Sequence, residues 1–107
     1  MNIKTCSAPG FFLFLESIDR AEFVGIDGAS NSSAYHDTPI GIGWNTTISA
    51  PHMHMFTLNY IAKYLKDLNG NGKELKAIDI GSGSGLMTRA LSRLLGPASI
   101  VDAVDHI

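Results

Sequence analysis

A single cysteine, Cys6, stands in the whole chain of 107 residues. It has no partner for an intramolecular disulfide and no Cys-x-x-Cys neighbour for a metal site, so a reducing compartment is expected. Long apolar runs are missing as well. The most apolar stretch, Phe11 to Leu15, is followed at once by Glu16, Asp19 and Arg20, too short and too soon charged for a membrane span or a signal-peptide core. Nor does one sign of charge dominate: 8 basic against 10 acidic residues leave a net of −2. With Lys and Arg scattered along the chain, neither a nucleic-acid footprint nor a polybasic membrane patch is formed. The expectation is a soluble, cytoplasmic protein with no nucleic-acid and no membrane partner.

What is present is enough apolar material for a core, 45% of residues against 17% charged, which argues against wholesale disorder. The length is about two-thirds of a typical domain of roughly 150 residues, which excludes a complete large enzyme. A chain of this size buries a little over ~60% of its unfolded surface, so its margin of stability is thin.

Phe11, Phe14, Leu15, Ile18 and Phe23 fit one face of a helix over 11–23, with Glu16, Asp19, Arg20 and Glu22 on the other. From Gly25 to Asn45 the sequence turns to Gly, Ser, Asn, Asp and Pro punctuation and reads as a long loop. Leu58, Ile61, Leu65 and Leu68 then mark an amphipathic helix. Thr47 and Ser49 are its candidate caps, Pro51 lies in its first turn, and Asn69-Gly70-Asn71-Gly72 ends it. Ala77-Ile78-Asp79-Ile80 reads as a short buried strand, Gly81 to Gly85 as a tight turn, and Leu86 to Leu95 as a helix stopped by Gly96-Pro97. Ser99 to Val104 is a second strand. Strand, turn, helix, strand is a βαβ unit, and its strands should be parallel. The division expected is an N-terminal helix and long loop over 1–45 and a cofactor-binding part over 46–107.

The run Asp79-Ile80-Gly81-Ser82-Gly83-Ser84-Gly85 lies between a strand and a helix, the context in which a glycine pattern carries meaning. Glycines let the backbone turn sharply and approach a nucleotide cofactor, and the helix start offers unpaired N–H groups. Asp105 follows Gly85 by 20 residues at the end of the second strand, where an acid can accept hydrogen bonds from both ribose hydroxyls. The alternating glycines do not match the dinucleotide pattern, because position 86 is leucine. Asp79, two residues before the first glycine, suits a cofactor with an ammonium group rather than a pyrophosphate, as in S-adenosylmethionine. A glycine turn used only for packing is the competing explanation.

Asn45-Thr46-Thr47-Ile48-Ser49-Ala50-Pro51-His52-Met53-His54 concentrates hydroxyls and imidazoles at a helix start, a place that favours an anion. By itself this is more simply a helix capped by Thr47 or Ser49, with surface histidines in its first turn. His52 and His54, at i and i+2, face different sides of the helix, so no two-histidine metal site is expected.

On these segments the chain resembles the protein-L-isoaspartate (D-aspartate) O-methyltransferase family. The resemblance rests on Thr47 to His54, Asp79 to Gly85, Val104-Asp105-His106-Ile107 and the approach Tyr35 to Trp44. It covers about Ser17 to the last residue, with Met1 to Leu15 matching poorly. It implies an α/β, Rossmann-like class I S-adenosylmethionine-dependent methyltransferase fold, cut after its second strand, in a family that continues for roughly as many residues again. It also implies a cofactor site in three pieces. Thr46, Thr47, Ile48 and Ser49, with His54, would close over the cofactor. Gly81, Gly83 and Ser84 would hold its methionine end with Asp79 supporting the loop, and Asp105 and His106 would bind the ribose and flank the adenine. Ser49 falls on the family's active-site serine, and no metal is implied. The family has alanine where this chain has Thr46.

The implied activity is methyl transfer to the carboxylate of L-isoaspartyl and D-aspartyl residues in damaged proteins, initiating their repair, by a monomer if the full-length family protein is the reference. The alternative is a catalytically inactive cofactor-binding or interaction module with an open strand edge.

Overall fold

A computed structural model of the protein describes residues 17–24, 33–68 and 74–106. Cys6, the Phe11–Leu15 run and the Asn69–Gly72 helix stop lie outside these residues. In chain order come strands β1 (Ile40–Gly43) and β2 (Thr46–Ile48), helix α1 (Pro51–Leu68), strand β3 (Lys76–Ile80), helix α2 (Leu86–Leu95) and strand β4 (Ile100–Val104).

The βαβ unit forms as its sequence pattern requires. β3 and β4 pair in parallel, from Lys76 opposite Ile100 to Ile80 opposite Val104, and α2 connects them. Its Gly96 stop has a φ of 95° and returns its N–H to the Ser92 carbonyl. The 77–80 strand, read as buried, is open on one face, as a two-stranded parallel sheet leaves it. Ile78, Ile80, Ile100 and Val104 are all exposed, Ile80 by 78%. A parallel sheet normally carries cover on each face; here, among the described residues, α2 covers one.

The core lies between the helices. Leu58, Ala62 and Leu65 of α1 meet Leu86, Ala90, Leu91 and Leu94 of α2, with Ile18 and Ile48 closing the cluster. Leu58 is wholly buried. Arg93 of α2 donates to the carbonyl and hydroxyl of Ser17 and so ties the N-terminal segment to the helix. No described helix is long and apolar enough to cross a membrane.

Upstream of α1 the architecture departs from expectation. The described part of the 11–23 segment holds a single 3-10 turn, Arg20–Phe23, rather than an α-helix. The Asp19 carboxylate accepts from the Ala21 N–H, a local bond that competes with helix continuation. Arg20, placed on the solvent face by the helical pattern, is buried.

The stretch read as loop to Asn45 contains another 3-10 turn, Ser33–Tyr35, and the first strand of a hairpin. β1 and β2 pair antiparallel, Ile40 opposite Ile48 and Gly43 opposite Thr46, with an irregularity between Gly41 and Gly43. Trp44 and Asn45 at the tip both have a φ of 55°, the left-handed pair that suits right-twisted strands. A tryptophan in that role hides the hairpin from sequence patterns, which look for Asn-Gly. The hairpin also straddles the 45/46 boundary.

The cap of α1 is likewise not Thr47 or Ser49. Thr47 lies within β2, and Pro51 is the first helical residue. The capping acceptor comes from another segment: Asp37 Oδ1 takes the His52 N–H at 2.9 Å and lies 2.8 Å from His52 Nδ1. These hydrogen bonds hold the Asp37 carboxyl below the usual carboxylate range, the backbone N–H first and the ring second.

Candidate functional site

The glycine run turns the chain through left-handed backbone. Gly81, Gly83 and Gly85 have φ values of 80°, 56° and 95°, a region costing an L side chain roughly 1–2 kcal/mol. A Cβ on Gly81 or Gly85 would meet nothing within 4 Å, so backbone conformation demands glycine there and the space over the loop stays open. The N–H groups of Gly81 and Ser82 both reach the Val104 carbonyl, at 2.7 and 3.2 Å. Gly85 caps α2 with no side-chain hydrogen bond, which leaves the first N–H groups of the helix without a side-chain acceptor.

Two carboxylates flank this loop, one tying β3 to α2 and one bonding the loop itself. Asp79 at the end of β3 accepts from the Thr88 hydroxyl at 2.6 Å. Asp105 Oδ2 accepts the Gly83 N–H at 2.7 Å, and Oδ1 takes the His106 N–H and lies 2.7 Å from the His106 ring. The Asp105 side chain is thus drawn under the glycine loop while His106 stands in solvent.

Opposite the loop is the corner from β2 into α1. Ser49 is exposed, and His54 is buried in the first turn of α1. Burial first, and the Arg20 charge second, hold the His54 imidazole below its ordinary pKa against a smaller opposing effect of Asp79. No hydrogen bond joins His54 to Ser49 among the described residues.

Between loop and corner is a cavity of about 220 Å³. Of the residues singled out from sequence, Thr47, Ile48, Ser49, His54, Asp79, Gly81, Gly83 and Ser84 line it. Thr46 does not; its hydroxyl donates to the Gly43 carbonyl inside the hairpin. Asp105 and His106 are not among the residues that line it. Met53, Thr57, Ser82, Leu86 and Met87 also line it and were not singled out. Met53 and Thr57, at i and i+4 on α1, could have been found by extending His54's neighbourhood along the helix. Among the described residues no group of three His, Cys, Asp or Glu side chains could hold a metal. An acid at one end, apolar walls from Ile48, Leu86 and Met87, and a bare backbone loop suit an organic cofactor with a cationic end.

The family model described as protein-L-isoaspartate (D-aspartate) O-methyltransferase matches residues 7–107. The chain belongs to the protein-L-isoaspartate O-methyltransferase family. Protein-L-isoaspartate O-methyltransferase 1 of Arabidopsis thaliana is 39% identical over 93 residues, which is 87% of this chain and 36% of that protein. The corresponding protein of Triticum aestivum is also 39% identical, with the same two shares. The chain therefore spans about a third of the length of these relatives. The crystal structure of a candidate protein-L-isoaspartate O-methyltransferase from Plasmodium falciparum, in complex with S-adenosyl-L-homocysteine, superposes with a TM-score of 0.63 at 30% identity. That match covers 94% of this chain and 41% of the other. The fold is accordingly the α/β, Rossmann-like fold of the class I methyltransferases over the part that this chain spans.

Proposed function

We propose that the protein transfers a methyl group from S-adenosyl-L-methionine to the carboxylate of L-isoaspartyl and D-aspartyl residues in damaged proteins. In this reading the present chain supplies the glycine-loop wall and the β2–α1 corner of the cofactor site, with the serine that orients the substrate. A cytoplasmic monomer acting on isoaspartyl proteins belongs to the same proposal. The observation that carries it is the cavity between the glycine loop and Ser49, in a chain of this family.

The residues fit the cofactor. Asp79 offers an acid for an ammonium group, and the left-handed glycines present backbone without side chains. At about 220 Å³ the cavity is smaller than the ~300 Å³ at which sites for whole small ligands begin, a size suited to the methionine end. When bound, the cofactor supplies an electrophilic methyl group on a sulfonium.

The chain's own residues then have modest tasks. A substrate carboxylate, with a solution pKa near 4, is already ionised at neutral pH and needs no base. It needs placement. The Ser49 hydroxyl donates to the carboxylate and aligns it for attack on the methyl, and such alignment can contribute several kcal/mol. His54, held neutral and buried, fills the wall without taking a proton.

The test is titration calorimetry of the chain with S-adenosyl-L-homocysteine, after circular dichroism has established a cooperative melt. Saturable binding that Asp105→Ala weakens about tenfold or more supports the reading; a folded chain that does not bind rejects the cavity as a cofactor site. Methyl transfer to an isoaspartyl peptide, with an aspartyl peptide as control, follows. Ser49→Ala should lower turnover at least about tenfold with little change in cofactor affinity, and equal losses in both would remove Ser49 from its assigned role. Binding without any transfer would favour a non-catalytic module.

A further inference from the structure

Arg20 is 5% exposed and forms no ion pair with a carboxylate among the described residues. Nη1 donates to the Ser49 carbonyl at 2.8 Å and Nη2 to the Thr38 carbonyl at 2.9 Å, while Nε is buried with no acceptor. Taking a guanidinium out of water is costly unless charge and hydrogen bonds compensate, and a lone buried donor adds to that cost. An apolar side chain would fill the same space with less penalty, so packing alone does not account for this arrangement.

The two acceptors account for it better. Thr38 precedes β1, and Ser49 directly follows β2 and stands two residues before α1. The fixed fork of a guanidinium can hold both carbonyls in one relative orientation. The fork is itself anchored: neighbouring Ile18 is in the core, and neighbouring Asp19 accepts from Tyr35 Oη and from the Ala21 N–H. Asp37, next to Thr38, caps α1 through His52. The Ser49 peptide is therefore gripped on its carbonyl by Arg20, while the helix that follows is gripped by Asp37.

We propose that Arg20 is a positioning residue, whose buried fork on the Thr38 and Ser49 carbonyls fixes the corner from which Ser49 lines the cavity. It touches neither substrate nor cofactor and acts through the Ser49 backbone. The proposal rests on the reading of Ser49 given above, and its test separates the two.

Amide hydrogen exchange is measured on the full chain and on Arg20→Lys, Arg20→Met and Ser49→Ala. The Met53 and His54 N–H groups, both bonded to the Ala50 carbonyl, report the corner, and the α2 amides report the core. In Arg20→Lys the corner amides should exchange about tenfold faster with the α2 amides unchanged, because one ammonium cannot span both carbonyls. Arg20→Met should go further in the same direction, and Ser49→Ala should leave the corner as it is. An unchanged corner in Arg20→Lys, or equal loosening of corner and α2, overturns the proposal.

Methyl transfer supplies the second readout. Arg20→Lys should lower kcat with little change in KM for the cofactor, and Arg20→Lys combined with Ser49→Ala should be no slower than Ser49→Ala alone. Additive losses would also overturn it. If the unmodified chain transfers no methyl group, the functional reading fails, and the exchange experiment alone decides the role of Arg20.

Discussion

The hydrogen bonds given above for the glycine loop run within the β3–α2–β4 unit. They reach Val104, Asp105 and Ser82, and the loop's shape follows from three glycines with positive φ. The β2–α1 corner facing it across the cavity is tied from upstream, by Arg20 to Ser49 and by Asp37 to His52. One wall is a property of a local chain segment; the other depends on side chains that arrive from irregular backbone. The loop wall should therefore persist wherever its unit folds, whereas the corner can be loosened one hydrogen bond at a time.

Leu58→Ala should have the largest effect, because Leu58 packs in the core beneath both walls. Deleting a wholly buried leucine costs ~2–5 kcal/mol, against a total stability of roughly 5–15 kcal/mol for an ordinary domain. Thermal melting should show a large fall or no cooperative transition, and a loss confined to α1 would mean that the walls do not share a core. Asp105→Ala is the sharper cut. It removes a charged acceptor worth ~1.5–3 kcal/mol, so affinity for S-adenosyl-L-homocysteine should fall about tenfold or more, while exchange at the corner amides stays unchanged.

The pH dependence comes next in size. His54 is held neutral in the folded chain and titrates at its ordinary value when unfolded, so below that value the unfolded state binds more protons. Stability is therefore complete above about pH 6.5 and declines as the pH falls toward the lowered folded value, by at most about 1.4 kcal/mol per pH unit. Urea titrations at several pH values should show this decline, and His54→Gln should flatten it. A chain with no such decline would have a wet corner. The smallest effect is expected for Asp37→Asn, which weakens the cap on α1: the melt should drop by a few degrees and the corner amides should exchange faster, with the glycine loop untouched.

The same division separates what could be read in the sequence from what could not. The βαβ unit was legible because each of its signals is short-range: apolar strand residues, alternating glycines, an amphipathic helical run and a Gly-Pro stop. Its boundaries fall within a residue of expectation, although Ile78 and Ile80 of β3, in a strand read as buried, are exposed. The hairpin was missed because a tryptophan occupies a left-handed turn position. Arg20 was assigned to solvent because helical periodicity was assumed for a segment whose described part is a single 3-10 turn. The resemblance grouped Thr46 with Thr47, Ile48 and Ser49, and in the structure its hydroxyl bonds inside the hairpin.

The sequence alone determined the parallel βαβ unit and the identity of the residues on the loop side, since backbone conformational limits and apolar periodicity act between near neighbours, and its motifs carried the family resemblance. Only the tertiary structure decided that Arg20 and Asp37 hold the corner, that His54 is buried and that Ser49 faces the glycine loop. Those arrangements depend on which distant carbonyls and N–H groups a polar side chain must satisfy once it is drawn into or against the core, and no spacing along the chain encodes that.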